Sequence, residues 1–444
     1  MFLNIFSPYK LIFTVQRECR VCLGAPAAWA TLATSLLATF SGMTYGQQVD
    51  TKKNATSSQR SQPTVVVSQR ALDLHRRSFI FDGHNDLPWM IRQKGSRTFE
   101  KLDIARPQPE LHTDIARLRQ GGVGAQFWSV YVPSKTAYDG TAHQMTLEQI
   151  EIVKAMVQKY PSVFEMAYTS QDVTRIRAAG RIASLVGVEG GHAIDNSLDK
   201  LRRLFQLGAR YMTLTHSDSL DWADSSGDKA KNQGLSEFGR EVVREMNRLG
   251  MLVDISHVSP ETMQDALDTS EAPVIFSHSS ARAIADHPRN VPDAILKQMP
   301  ADGGVVMVNF YSGFVVPESA RRSRILAEQG RELRLKFGED ADGMKKALAV
   351  LDAQHPMLPG SVYDVADHVD HIVKIAGIDH VGIGGDYDGI DVVPRQIEDV
   401  SKYPVLTQVL LDRGYSETDL EKLFNKNILR VMDASEKVAA KLSK

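Results

Sequence analysis

Near residue 80 the apolar run Phe79-Ile80-Phe81 leads straight into Asp82-Gly83-His84-Asn85-Asp86 and stops at Pro88. On an extended strand end, residues two apart point to the same side, so His84 and Asp86 can face one ion. Imidazole nitrogen and carboxylate oxygen are both zinc donors. Alone, His-x-Asp is a weak signal, because both residue types are common in turns and Asp often caps a helix. Two further histidines, His257 in LVDISHVS and His278 in PVIFSHSS, each follow a serine at the end of an apolar run. One such histidine is readily explained as a hydrogen-bonded core residue, but the repetition points to a second pair of donors. A carboxylate between the two pairs would complete both. Glu189 ends another apolar run and directly precedes two glycines that permit close approach, which makes it the candidate. Two ions bridged by Glu189 and a hydroxide would leave open positions for a substrate oxygen, the chemistry of two-metal hydrolases.

Elements that could position these residues recur along the chain. Short β-branched runs alternate with helical periodicity, which predicts parallel strands joined by crossover helices. Eight strands are expected, at Ser78–Phe81, Gly124–Tyr131, Ile182–Val188, Tyr211–Leu214, Leu252–Ile255, Val274–Phe276, Gly304–Asn309 and His380–Ile383. A doubly wound sheet would give similar periodicity. The polar residues that follow the strands favour a barrel: His84 and Asp86, Glu189, His216, His257, His278 and Asp386 all lie at C-terminal strand ends, which in a barrel converge on one mouth. The expected fold is therefore an α/β (β/α)8 TIM barrel of the metal-dependent hydrolase type, spanning residues 69–444. A charged helical insertion is expected at about 317–360, most simply a solvated helix pair, with a lid over the mouth as the alternative. Near the C-terminus, Thr418 and Glu421 read as a capping box, and Leu420, Leu423, Phe424, Ile428 and Val431 as one apolar helix face.

The near balance of 52 Lys plus Arg against 54 Asp plus Glu offers no broad basic surface, so nucleic acid is not an expected partner. With 43% hydrophobic residues, the 444-residue chain can bury a large core. Arg17 and Arg20 precede an uncharged stretch, Val21 to Phe40, so residues 1–46 read as an export signal, with retention as a membrane anchor the alternative. Export would place the protein in the periplasm or outside the cell, with membrane attachment only if the segment is uncleaved. Residues 47–68, rich in Ser, Thr, Gln and Asn, read as a flexible linker, with order beginning near Val65 to Ala71. Cys19 and Cys22 are the only cysteines, so the mature chain would hold no disulfide.

The stretches DGHNDLPW, GVEGGHAIDNSL, LGARYMTLTHSDSLDWADS, LVDISHVS, PVIFSHSSARAIADHPRNVP and VGIGGDYDG resemble the membrane (renal) dipeptidase family of zinc dipeptidases. The resemblance runs from about Leu72 to Met432. It implies a TIM barrel with two Zn2+ ions per chain, ligated by His84, Asp86, Glu189, His257 and His278, that hydrolyses dipeptides, including some with a D-residue at the C-terminal position. It further implies that His216 contacts the substrate and stabilises the oxyanion, that Arg289 grips the free carboxylate, and that Asp386 moves the proton from water to the leaving amine. Asp388 and His192 are expected to be supporting residues. A homodimer is also implied. Animal members carry disulfides and a lipid-anchor signal that this chain lacks, so it looks more like an exported bacterial member. Phe314 stands where some relatives have a tyrosine near the substrate.

Two other readings exist. Metal-dependent amidohydrolases acting on cyclic amides or lactones commonly place His-x-His after the first strand and bridge their metals with a modified lysine; Asp86 and Glu189 argue against that. An exported binding protein without activity is opposed by the intact donor set and Asp386.

Overall fold

The computed structural model describes residues 63–338 and 340–444. The expected export segment and residues 47–62 of the expected linker lie outside the described residues. Ser61–Lys444 is one compact unit. Residues 63–68 carry no regular structure but are tied down: the Val65 amide donates to Gln396 Oε1 at 2.6 Å and the Ser68 amide to Gln408 Oε1 at 2.9 Å. Among the described residues no helix is long and apolar enough to cross a membrane.

Among the described residues nine strands form one all-parallel sheet: β1 Ile80–Asn85, β2 Val123–Ser129, β3 Phe164–Met166, β4 Ile182–Glu189, β5 Ala209–Thr213, β6 Leu252–Asp254, β7 Ile275–Phe276, β8 Val305–Val308 and β9 Val381–Ile383. The order β2-β1-β9-β8-β7-β6-β5-β4 closes on itself through β2–β4 pairing, which makes an eight-stranded barrel with helices between the strands. The extra strand, β3, pairs only with the start of β4, from Ile182 to Ser184. At three residues it is too short to show a period in the sequence.

Both faces of the barrel wall are buried, so the strands are apolar on both. Phe81, Ala125, Phe127, Ala183, Leu185, Tyr211, Leu252, Ile275, Val305 and Met307 pack together as one cluster, taking alternate residues of successive strands, which identifies the inward face. The other register, including Val186, Met212, Val253, Phe276, Val306 and Val308, packs in the larger cluster under the helices. Following the inward register two residues toward the C-terminal end turns it polar on six strands. Phe127 leads to Ser129, Gly187 to Glu189, Tyr211 to Thr213, Leu252 to Asp254, Ile275 to Ser277 and Met307 to Asn309, all of them buried. The apolar plug below therefore ends in a polar floor at the mouth.

Two local expectations change. Strand β1 runs to Asn85, so His84 lies within it, while Asp86 sits just past it with φ −94° and ψ 19°. It is the turn into the helix Leu87–Gly95, rather than strand alternation, that brings Asp86 back beside His84. The C-terminal capping box is Ser416 with Asp419 instead of Thr418 with Glu421, because the helix begins at Glu417, about half a turn earlier. The expected apolar face is buried as read, across a wide-turn segment at Lys422–Lys426. The insertion forms two helices, Pro317–Phe337 and Ala341–Gln354; within it the Ser319 hydroxyl donates to Leu358 O at 2.9 Å, and Arg324 pairs with Asp286 in the loop after β7.

Candidate metal centre and active site

Glu189 is the last residue of β4 and its two carboxylate oxygens face different groups. Oε2 lies 3.5 Å from His84 Nε2 and accepts from the Ser129 hydroxyl at 3.1 Å. Oε1 lies 3.1 Å from His257 Nε2, 3.5 Å from His278 Nε2 and 3.6 Å from His216 Nε2. On its own side His84 Nε2 is 3.2 Å from Asp86 Oδ2. The five residues expected to ligate metal are thus brought together, with Glu189 between the two pairs.

The donor atoms of three trios lie within 4.8 Å of one another: His84, Glu189 and His278; Glu189, His216 and His257; and His84, Asp86 and Asp386. His216 and Asp386 therefore sit close enough to share in ligation, a role not expected for either. The His216 ring stacks on His257 with centroids 4.4 Å apart, and its Nδ1 is 2.9 Å from Ser217 Oγ.

The residues fit a divalent cation on three grounds. His84 Nε2 is buried with no hydrogen-bond partner, although its Nδ1 meets the Tyr211 hydroxyl at 2.8 Å. His257 and His278 turn their Nε2 atoms toward each other at 2.8 Å. Asp86, Glu189 and Asp386 are all buried, and among the described residues Arg289 is the one arginine or lysine lining the same cavity. In the protein alone, burial and the neighbouring carboxylates raise Asp386, and against burial Tyr211, Glu189 and Asp86 raise His84, the response of a cluster short of positive charge. Nitrogen and carboxylate donors suit zinc and its neighbours.

Burial would raise Glu189, but the neighbouring His84, His216, His257 and His278 hold it well below the usual carboxylate range. His257 and His278 are both held well below the usual histidine value, chiefly by burial, which favours the neutral rings that ligation needs. In the protein alone, burial, reinforced by Asp86 and Glu189, pushes Asp386 up to about 8. Asn309 Nδ2 donates to Asp386 Oδ2 at 2.7 Å and fixes its orientation.

Local backbone geometry supports the arrangement. His257, Asp386 and Asp388 all have left-handed φ, at 68°, 60° and 67°. Such strain costs about 1–3 kcal/mol per residue and gathers at functional sites. Gly389 fits because a Cβ there would lie 2.1 Å from Asp86 Oδ2 and 2.7 Å from Asp386 Oδ1. Gly190, after Glu189, has φ 111°, a conformation side chains rarely adopt.

Above the cluster opens a cavity of about 600 Å³ lined by Asp86, Glu189, His216, His257, Arg289, Asp386 and Asp388 and walled by Trp89, Met90, Tyr131, Tyr311, Phe314 and Ile390. Arg289 is buried, lies 5.3 Å from the Phe314 ring centre, and donates to Ser279 Oγ and His278 O, each at 3.3 Å. Its Nε has no partner. Burial lowers Arg289 to about 10, so it stays charged at neutral pH. Phe314 stands at the cavity wall, and Tyr311 supplies an aromatic hydroxyl nearby. Asp388 exchanges hydrogen bonds with His112, and His192 Nε2 meets Val132 O at 3.0 Å, both as supporting residues.

Several contributors were not foreseen: Tyr211 on His84, Ser129 on Glu189, Asn309 on Asp386, and Asp82. Buried in β1, Asp82 accepts from the amides of His84 at 2.8 Å and Gly385 at 3.1 Å, joining the strand that carries His84 to the loop that carries Asp386. For Ser129 and Asn309 the sequence signal is the polar residue that ends an inward apolar register.

A (β/α)8 barrel whose mouth gathers histidines and carboxylates around a bridging glutamate, beside a buried arginine, defines a metal-dependent hydrolase. The chain belongs to the membrane dipeptidase family, Peptidase family M19, whose profile matches residues 68–444. It is 41% identical over 370 residues to an uncharacterized dipeptidase of Schizosaccharomyces pombe, covering 80% of this chain and 81% of that one. It is 39% identical over 373 residues to the dipeptidase verJ of Clonostachys rogersoniana, covering 82% and 86%. Among solved structures it is similar to a metallopeptidase from Rhodobacter sphaeroides liganded with a phosphinate mimic of the dipeptide L-Ala-D-Ala, with a TM-score of 0.66, 25% identity, and coverage of 81% of this chain and 99% of that one. The protein is accordingly a metallopeptidase that hydrolyses peptide bonds.

Proposed function

We propose that the protein hydrolyses dipeptides bearing a free C-terminal carboxylate and that it holds two zinc ions, one by His84 and Asp86 and one by His257 and His278, with Glu189 serving both. The observation that carries this reading is the division of Glu189, with Oε2 on the His84 side and Oε1 on the side of His257 and His278. Two such ions, when bound, acidify water and polarise a carbonyl. The chain supplies the rest. Arg289, charged and partly unsatisfied at the cavity wall, receives the terminal carboxylate through its planar fork. His216, kept neutral because burial lowers it to about 4, presents Nε2 toward the reacting carbonyl as a donor while Ser217 holds Nδ1. Asp386, oriented by Asn309, takes the proton from the attacking water and returns it to the leaving amine. The aromatic and aliphatic wall excludes water and receives the side chains.

The test is a panel of Ala-Ala with L- or D-alanine at the C-terminal position, the corresponding tripeptides and the dipeptide amides, run on protein of measured zinc content. Fast turnover of dipeptides alone is expected, because a longer peptide or an amide removes the carboxylate from the reach of Arg289. Comparable rates on all three classes would overturn the role of Arg289, and a protein that binds no zinc would overturn the two-ion reading.

A further inference from the structure

The two Ser-His pairs look equivalent in sequence, but only one serine is wired to its histidine ring. We infer that Asp254 and Ser277 form a hydroxyl relay that fixes His278 in the tautomer with hydrogen on Nδ1 and a lone pair on Nε2 directed at Glu189 and His257. This rests on reading His278 as a metal ligand, and it assigns Asp254 and Ser277 as positioning residues for it.

Asp254 ends β6, is fully buried, and lies between β5 and β7. Its Oδ1 accepts from the amides of Ser277 at 2.9 Å and Ser256 at 3.1 Å. Its Oδ2 meets the hydroxyls of Ser277 at 2.6 Å and of Thr213 on β5. A carboxylate offers about four lone-pair positions, and here each has a donor, two of them amides that can do nothing else. An ionised Asp254 thus takes the single proton of Ser277. Ser277 Oγ lies 2.7 Å from His278 Nδ1 and has only lone pairs left to offer, so Nδ1 must carry the hydrogen. A neutral ring protonated there has its free lone pair on Nε2.

Among the described residues nothing comparable acts on His257. The Ser256 hydroxyl instead meets the His278 amide at 3.1 Å and Ser279 Oγ at 3.2 Å. With its lone pair fixed, His278 Nε2 can only accept across the 2.8 Å to His257 Nε2, which leaves His257 as the donor. Binding a cation then requires His257 to release a proton from Nε2, whereas His278 is ready beforehand. Metal-ligating histidines are commonly oriented through their second nitrogen, and loss of such a partner typically costs about 10- to 100-fold in metal affinity.

The experiment uses the full chain labelled with 15N-histidine and stripped of metal. Long-range proton–nitrogen correlation reports the tautomer of each ring, and the His278 signal is identified by its loss in His278→Gln. The expected wild-type result is Nδ1–H. Asp254→Asn offers an amide donor to Ser277, frees its proton for Nδ1 and should shift His278 toward Nε2–H. Ser277→Ala should give a tautomer mixture, Ser277→Thr should restore the wild-type signal, and both can be read if Asp254→Asn does not fold. Zinc affinity measured against a chromophoric chelator should drop about 10- to 100-fold at one of two sites in Ser277→Ala and recover in Ser277→Thr. His278 found as Nε2–H in the wild type, or unchanged tautomer and affinity in Ser277→Ala, would overturn the relay. The tautomer is read without metal or substrate, so a failure of the dipeptidase mechanism would leave an observed Nδ1–H relay standing.

Discussion

His368 and His278 are both buried and both kept neutral by burial, yet they use their nitrogens in opposite ways. His368 Nδ1 accepts from the Ala281 amide at 2.9 Å and its Nε2 donates to Val315 O at 3.0 Å, so the ring rivets the helix Val362–Ala376 to two neighbouring segments. His278 has Nδ1 on Ser277, while Nε2 faces His257 Nε2 and a carboxylate oxygen. His84 repeats the second pattern, with Nδ1 on Tyr211 and Nε2 unsatisfied. Burial and depressed basicity therefore do not separate a ligand from a rivet. What separates them is where the second nitrogen points: at other metal-donor atoms, a carboxylate oxygen or a second imidazole, rather than at the backbone.

The sharpest break of this comparison is Glu189→Ala. Because Glu189 faces both pairs, zinc content measured on the purified protein should fall from about two ions toward none, and dipeptide turnover should fall by about 1,000-fold or more, beyond the 10- to 100-fold typical of an outer partner. Loss of one ion only would mean that the bridging role is wrong and that each pair of histidine and partner stands alone.

A smaller effect is expected from Asp386→Asn. If Asp386 moves protons, kcat should drop about 100- to 10,000-fold while zinc content stays at the wild-type level. If zinc falls as well, Asp386 is a ligand with His84 and Asp86, as the proximity of their donor atoms allows. The variant thus decides whether the first pair is completed by Glu189 alone or by two carboxylates.

Those two residues were readable from the sequence because each closes or follows an apolar run that had to be a barrel strand, and strand ends converge whatever the loops do. Asp86 was readable as a donor but for an incomplete reason, since a turn rather than strand alternation returns it to His84. Strand β3 was not readable: three residues at the foot of β4 carry no period of their own and form only because the neighbouring edge is free there. Tyr211, Asn309 and Asp254 were invisible as site residues for another reason. Each looks like an ordinary strand residue until the register shows that it points inward, and register is a property of strand pairing rather than of any local motif. The hydroxyl and amide partners of the histidines come from separate strands, so no single stretch of sequence contains them.

The smallest effect on activity, and the cleanest check on the rivet side, concerns His368. Burial lowers it from 6.5 to about 4, which corresponds to about 3 kcal/mol between folded and unfolded states. The folded value lies below the unfolded one, so this stability is fully present above pH 6.5 and is lost as pH falls toward 4; about 2 kcal/mol of it goes between pH 7 and pH 5. His368→Gln should be less stable than wild type at pH 7, because two buried hydrogen bonds are disturbed. Its denaturant midpoint should nevertheless change less on acidification, and the wild-type excess isolates this one ring from the other titrating groups, including His75 and His287, which burial lowers in the same way. Zinc content and dipeptide turnover at pH 7 should stay within about threefold of wild type, since no donor atom of His368 faces the cavity. A variant that folds but loses zinc would place His368 among the ligands and erase the distinction drawn from its two satisfied nitrogens. An acid dependence identical to wild type would show instead that His368 is charged in the folded protein, and its bond from the Ala281 amide would then have to break.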